Sequence, residues 1–265
     1  MKPYRIIFVM VLVAICGGLA WQVLRPREPV YREKALSAWC EQYATNHWAH
    51  PDSELHKQAE TAIRHMGTNA IPALMNMLRA SDSPLQRKFF DLAYKQNLVK
   101  IHHVNPWKKN WLAASAFAAL GADGRSAAPG LIDLFENPPS SSSGRYTAMA
   151  LAGIGPAASN AIPSLLRKAE SSPETGLRLF SLNAIGHIHA RPELVIPLLI
   201  KYLNDPSLDV QNEAAEALGA YGADARTATP IMLQLLQNPN QDLRGHVPTN
   251  LLKIDPEAAT KAGVK

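Results

Sequence analysis

Cysteine is the scarcest resource of this chain: there are two, Cys16 and Cys40. Cys16 lies in an apolar N-terminal run, so the remainder can form no internal disulfide. A domain of this length can bury enough surface without staples. There is no HExxH, no paired CxxC and no His-Glu dipeptide, so zinc-protease, zinc-ribbon and repeated His-Glu iron chemistry lack their ligand spacings. Acidic residues are missing before Glu28, whereas Lys2, Arg5, Arg25 and Arg27 precede it. Those four account for most of the net charge of +5; without them 23 basic residues stand against 22 acidic ones. The basicity belongs to the N-terminal flanks, and nucleic-acid binding loses its compositional support.

What the chain has is repetition. The phrase Ala150-Leu-Ala-Gly-Ile-Gly155 returns as Ala116 to Gly121, Ala184 to His189, Ala217 to Gly222 and Asn250 to Asp255, and upstream as Ala62 to Gly67. The starts are 34, 34, 33 and 33 residues apart after one gap of 54. Such a period marks a stacked array. Gly67, Gly121, Gly155 and Gly222 sit where a helix stops, which predicts a left-handed residue there. Ala70-Ile-Pro72, Ala127-Ala-Pro129, Ala161-Ile-Pro163 and Ala228-Thr-Pro230 follow, and proline suits a helix's first turn. Each unit is predicted as helix, tight turn, helix. Apolar residues at spacings of three and four, as in Ala148, Leu151, Ala152 and Ile154, place one buried face on each helix.

The pattern over roughly 55–258 resembles the HEAT-repeat family in its short, lyase-type form of about 33 residues. The resemblance implies an all-α, right-handed solenoid of about six units and a non-enzymatic role in protein binding. It implies no cofactor. The alternative it carries is a lyase-like or other cofactor-handling protein, since chromophore lyases and iron hydroxylases use similar repeats.

Ile6 to Leu24 is an apolar run of 19 residues broken only by Gln22, long enough to cross a bilayer. Residues 1–27 are expected to be a signal anchor, with the domain outside the cytoplasm of a bacterial cell. Cleavage near Ala20, after the small-x-small Gly18-Leu-Ala20, would instead release it; a lipoprotein reading through Cys16 meets Ile15 where a small residue is needed. Residues 28–54 are expected as a linker through Lys34 and a capping helix, Tyr31 to Tyr43, followed by a loop, and 55–265 as the repeat domain. The long gap places an extra helix, Pro84 to Ile101, within an insert at about 81–110.

Three candidate sites emerge. Trp107, Lys108, Lys109 and Trp111 form a candidate partner-binding patch at the end of the insert, with packing of the extra helix as the competing role. Arg145, Arg178 and Arg244, with Gln211 on the missing rung, form a candidate basic ladder that either bonds neighbouring turns or meets an acidic partner. His47, His50, His56 and His65 cluster in sequence without carboxylate or thiolate support, and His187 and His189 sit at a helix end; neither set has metal-ligand spacing. Gly153-Ile-Gly-Pro-Ala-Ala158 matches a dinucleotide fingerprint, but a helix precedes it where a strand is required. Ser140 to Gly144 is predicted as a polar loop, and the last unit as truncated after Asp255.

Overall fold

The computed structural model describes residues 28–82, 86, 88 and 105–264. The apolar run 6–24 lies outside them, as does the expected helix over 84–101 apart from Gln86 and Lys88.

Among the described residues, thirteen α-helices follow a small hairpin, β1 (Val30–Tyr31) paired antiparallel with β2 (Lys34–Ala35). A capping helix α1 (Leu36–Ala49) leads into six helical hairpins: α2 (Glu54–Met66) with α3 (Ile71–Leu78), α4 (Pro106–Leu120) with α5 (Ala128–Glu136), and α6 (Ser141–Ile154) with α7 (Ile162–Ser171). Then come α8 (Thr175–Ile188) with α9 (Pro192–Tyr202), α10 (Leu208–Tyr221) with α11 (Thr229–Leu235), and α12 (Gln241–Ile254) with the short α13 (Pro256–Lys261). The first helices α4, α6, α8, α10 and α12 stack side by side in one layer. Each second helix from α3 to α11 packs against the first helix of the following unit. The result is a two-layer helical solenoid with one core running through all units, the arrangement in which no hairpin covers its apolar face alone.

Alanine lets the first-helix layer close up. Ala116, Ala150, Ala184 and Ala217, one per unit, are all buried. At Gly153 even a Cβ would fall 2.7 Å from the backbone of Ala118 on the neighbouring helix. The dinucleotide-like phrase is therefore a helix-packing contact followed by a reversal, and a helix precedes it.

The reversal differs from the expected left-handed residue. Gly121 has φ 54° and ψ −134°, Gly155 φ 68° and ψ −144°, and Gly222 φ 53° and ψ −130°. The φ is positive, but ψ lies far from the left-handed helical value near +47°, in a region that a Cβ closes to other residues. Each glycine starts a 3-10 segment ending at the Ala before the next helix. Ser141–Ser171 is apolar and long enough by composition to cross a membrane, yet this reversal divides it into helices of 14 and 10 residues, each short of the ~20 required.

The fourth unit breaks the rule. His189 stands in the glycine position and adopts φ 48°, ψ 54°; Arg191 follows with φ 57°, ψ 50°. Both are left-handed, at a cost of about 1–3 kcal/mol each for a residue with a side chain. The 3-10 segment is gone, and α9 begins a turn early, leaving Pro197 inside the helix. Tyr221 of the next unit holds this turn. Its hydroxyl donates to the Ala190 carbonyl at 2.7 Å and accepts from the Ala190 N–H at 3.1 Å. Burial pushes the phenol up to about 12, so it stays a donor at any physiological pH. Tyr221→Phe is expected to cost about 1–3 kcal/mol, because both Ala190 groups lose their partner. Denaturant unfolding followed by far-UV circular dichroism reads this, and an unchanged midpoint would mean that the turn holds itself.

Three local expectations need correction. The capping helix starts at Leu36, because Arg32 and Glu33 take positive φ of 47° and 59° and turn the chain into the hairpin. It then runs on through the expected loop to Ala49, since Tyr43 and His47 stack on each other and on His56 of α2 and hold that end down. The serine-rich loop is helix as well. Ser140 caps α6 by accepting from the Ser143 N–H at 3.2 Å, while the Ser143 hydroxyl is buried and donates to the Leu78 carbonyl at 2.6 Å.

Candidate protein-docking surface

Trp107 occupies the first turn of α4, whose N-cap Asn105 accepts from the Trp107 N–H at 3.2 Å. Its indole is 49% exposed. Lys108 is turned towards the capping helix, its Nζ 2.5 Å from Glu41 Oε1. Lys109 is half-buried, and Trp111 lies half-buried against the core. The expected patch thus divides: Trp107 faces solvent, Lys108 ties α4 to α1, and Trp111 packs.

The ladder residues do not share one role. The Arg178 Nε donates to the Ala169 carbonyl at 3.1 Å, and its guanidinium pairs with Asp205, whose other oxygen accepts from the Ser207 N–H at 2.9 Å. Gln211 donates to the Asp205 carbonyl, and Arg244 to that of Asn238 at 2.9 Å. Each rung therefore bonds a carbonyl in the connection after the preceding second helix, or at that helix's end, where orphan acceptors collect. Arg145 does not. It lies 3.5 Å from the Glu174 carboxylate, because the rung position in its unit, 34 residues before Arg178, is Gly144, which packs on Pro138. The rung the sequence reading missed is Asn110, another 34 residues back. Fully buried, it donates to the carbonyls of Met77, Leu78 and Ala80 at 2.9, 2.9 and 3.2 Å and accepts from Ser142. Counting back from the helix-ending glycines, rather than from arginine to arginine, would have found it.

His47, His56, His65 and His189 make ring contacts with neighbouring side chains. His47 and His56 lie with ring centroids 5.3 Å apart, and His65 lies tilted against Tyr31 at 4.5 Å. Burial and the neighbouring His56 lower the basicity of His47. His189 meets Tyr221 edge-on. Among the described residues, no three of His, Cys, Asp and Glu converge as a metal-binding group. Burial raises the thiol pKa of Cys40, which suits an inert packing residue.

A surface not singled out by motif runs along the first-helix layer. Tyr146 on α6, Phe180 on α8, Glu213 on α10 and His246 on α12 occupy one column, 34, 33 and 33 residues apart. Met149, Asn183, Glu216 and Thr249 form the adjacent column with the same spacing. Tyr146 and Phe180 meet edge to face at 5.8 Å, and both stay partly open to solvent. Past Phe180 the layer opens into a groove of about 350 Å³ between α8, α10 and α12. Asn183 donates to Glu213 at 2.9 Å, and His246 Nδ1 lies 3.1 Å from Glu216. Desolvation in the groove raises the Glu213 pKa, with the Glu216 charge adding to it.

Comparison with known proteins meets this geometry in the later units. Residues 162–251, from the start of α7 into α12, match the family model for HEAT repeats. That stretch of helical hairpins is similar to HEAT repeats. A crystal structure described as an engineered protein is similar over 86% of this chain and 97% of its own, at 18% identity and a TM-score of 0.43. Among curated proteins none matches. The matched segment contains the irregular fourth unit and every lining residue of the groove except Lys253.

Proposed function

We propose that this chain is a non-enzymatic docking module: a HEAT-repeat solenoid that binds a protein partner along its first-helix layer and is held at a membrane by residues 6–24. The observation that carries the docking reading is the continuous face of Tyr146, Met149 and Phe180 leading into the groove. Apolar side chains there stay half open where the same helices bury alanine on their other sides, and HEAT repeats commonly mediate protein–protein interaction. The anchor is supported by the length of the apolar run and its basic flanks, with the repeat domain on the extracytoplasmic side. Trp107 adds a second contact near the N-terminal end of the stack.

Affinity purification of the full-length tagged chain after crosslinking in membranes tests this. A defined partner is expected, lost on Phe180→Ala with Met149→Ala and weakened by Trp107→Ala with Lys108→Ala and Lys109→Ala. A partner retained by both variants would put docking elsewhere.

A further inference from the structure

The first-helix face changes chemistry along its length, and the change is ordered. One column is aromatic on α6 and α8, at Tyr146 and Phe180, and the other runs from Met149 on α6 to Asn183 on α8. Both become carboxylate on α10, at Glu213 and Glu216, and end on α12 at His246 and Thr249, with Lys253 one turn beyond on the far wall of the groove. Phe180 and Glu213 are equivalent residues of successive units, so they repeat at the separation of neighbouring helix axes, about 8–10 Å. An extended peptide covers that distance in about three residues.

We infer that this groove is a docking site for an extended protein segment carrying a single lysine or arginine about three residues from an apolar side chain, the apolar residue lying on Tyr146 and Phe180 and the cation between Glu213 and Glu216. The inference rests on the docking reading above and assigns its partner chemistry. Charge complementarity selects the occupant. Among the described residues Glu213 accepts a hydrogen bond from the Asn183 amide; desolvation and the Glu216 charge hold its carboxyl in the less charged direction, against that bond and the nearby His187. A cation arriving there relieves both effects. An acidic segment would set its charge against Glu213 and against Glu216, which His246 meets from one side only. A run of several basic residues would carry the next one onto Lys253, so the site takes one cation and not a polybasic stretch.

Selection of random twelve-residue peptides displayed on phage, against the full-length chain in neutral-lipid nanodiscs, tests the assignment. Recovered peptides are expected to hold one Lys or Arg two to four residues from Phe, Leu, Met or Trp. A synthetic representative should lose about tenfold or more in affinity on Glu213→Gln with Glu216→Gln. Both changes are isosteric, and a superimposable thermal melt confirms that the fold is intact. The charge-reversed pair, Glu213→Lys with Glu216→Lys, should prefer the same peptide with its basic residue replaced by glutamate. Peptides without a basic residue, or binding changed less than twofold by the glutamine pair, would overturn the assignment while leaving protein docking in place. Self-association of the chain that the glutamine pair abolishes would give the groove to a second copy and overturn it too. Failure to recover any peptide would count against both readings.

Discussion

Replacing Asp205 with alanine is expected to lower the stability of the repeat domain by about 3–5 kcal/mol. The Asp205 carboxylate is 7% exposed and its partner, the Arg178 guanidinium, 18%. This differs from the exposed pairs on the second-helix layer, such as Lys201 with Glu170, where both side chains are more than half exposed and each pair adds about 0–1 kcal/mol. Removing Asp205 leaves an arginine charge largely out of water and takes away the acceptor of the Ser207 N–H. Arg178 also reaches back to the Ala169 carbonyl, so the loss loosens the joint between the third, fourth and fifth units at once. Urea unfolding followed by far-UV circular dichroism reads the size of the effect. The double change Arg178→Met with Asp205→Leu should recover part of it, since apolar residues need no partner. A loss below about 1 kcal/mol for Asp205→Ala would reduce this contact to a surface ion pair.

The second large effect concerns the closeness of the first-helix layer. Gly153→Ala puts a methyl group 2.7 Å from the Ala118 Cα and N atoms. Backbone cannot swing aside as a side-chain end does, so α4 and α6 must separate, at about 1–3 kcal/mol or more. Gly245→Ala is the counterpart: it lies inside α12 with nothing within 4 Å of the new methyl, and should stabilise by about 0.5–1 kcal/mol through the unfolded chain. The same chemical change is thus expected to act with opposite signs ninety-two residues apart. If both variants shifted the unfolding midpoint alike, the close approach at Gly153 would not govern the stacking.

Much of the architecture was legible because it repeats. The glycines ending the first helices and the prolines opening the second mark the same joints in four units, and alanine at the repeated positions signals close helices. What was not legible depended on a single unit or on register. His189 breaks the glycine rule, and nothing local tells that Tyr221, a unit later, supplies the bonds for the altered turn. The ladder was placed by side-chain type, which admitted Arg145 and passed over Asn110; the structure selects by reach to a carbonyl, which asparagine has when it is fully buried beside a helix end. The Arg32-Glu33 turn lacks the Asn-Gly or Asp-Gly pair that announces a tight hairpin, so the strands beside it read as linker and helix. The proposed docking face carries no motif at all. Its columns appear only when Tyr146, Phe180, Glu213 and His246 are recognised as the same position of successive units, a relation the regular spacing contains but that becomes visible once helix faces are assigned.

The most direct test of docking along the first-helix layer is photocrosslinking in cells from single positions of the full-length chain. A photoreactive residue would be placed in turn at Tyr146 and Phe180 on that layer, and at Leu194, exposed on α9 of the second layer. Docking along the first-helix layer predicts one discrete protein adduct from 146 and 180 and none from 194. An adduct from 194 alone would contradict it.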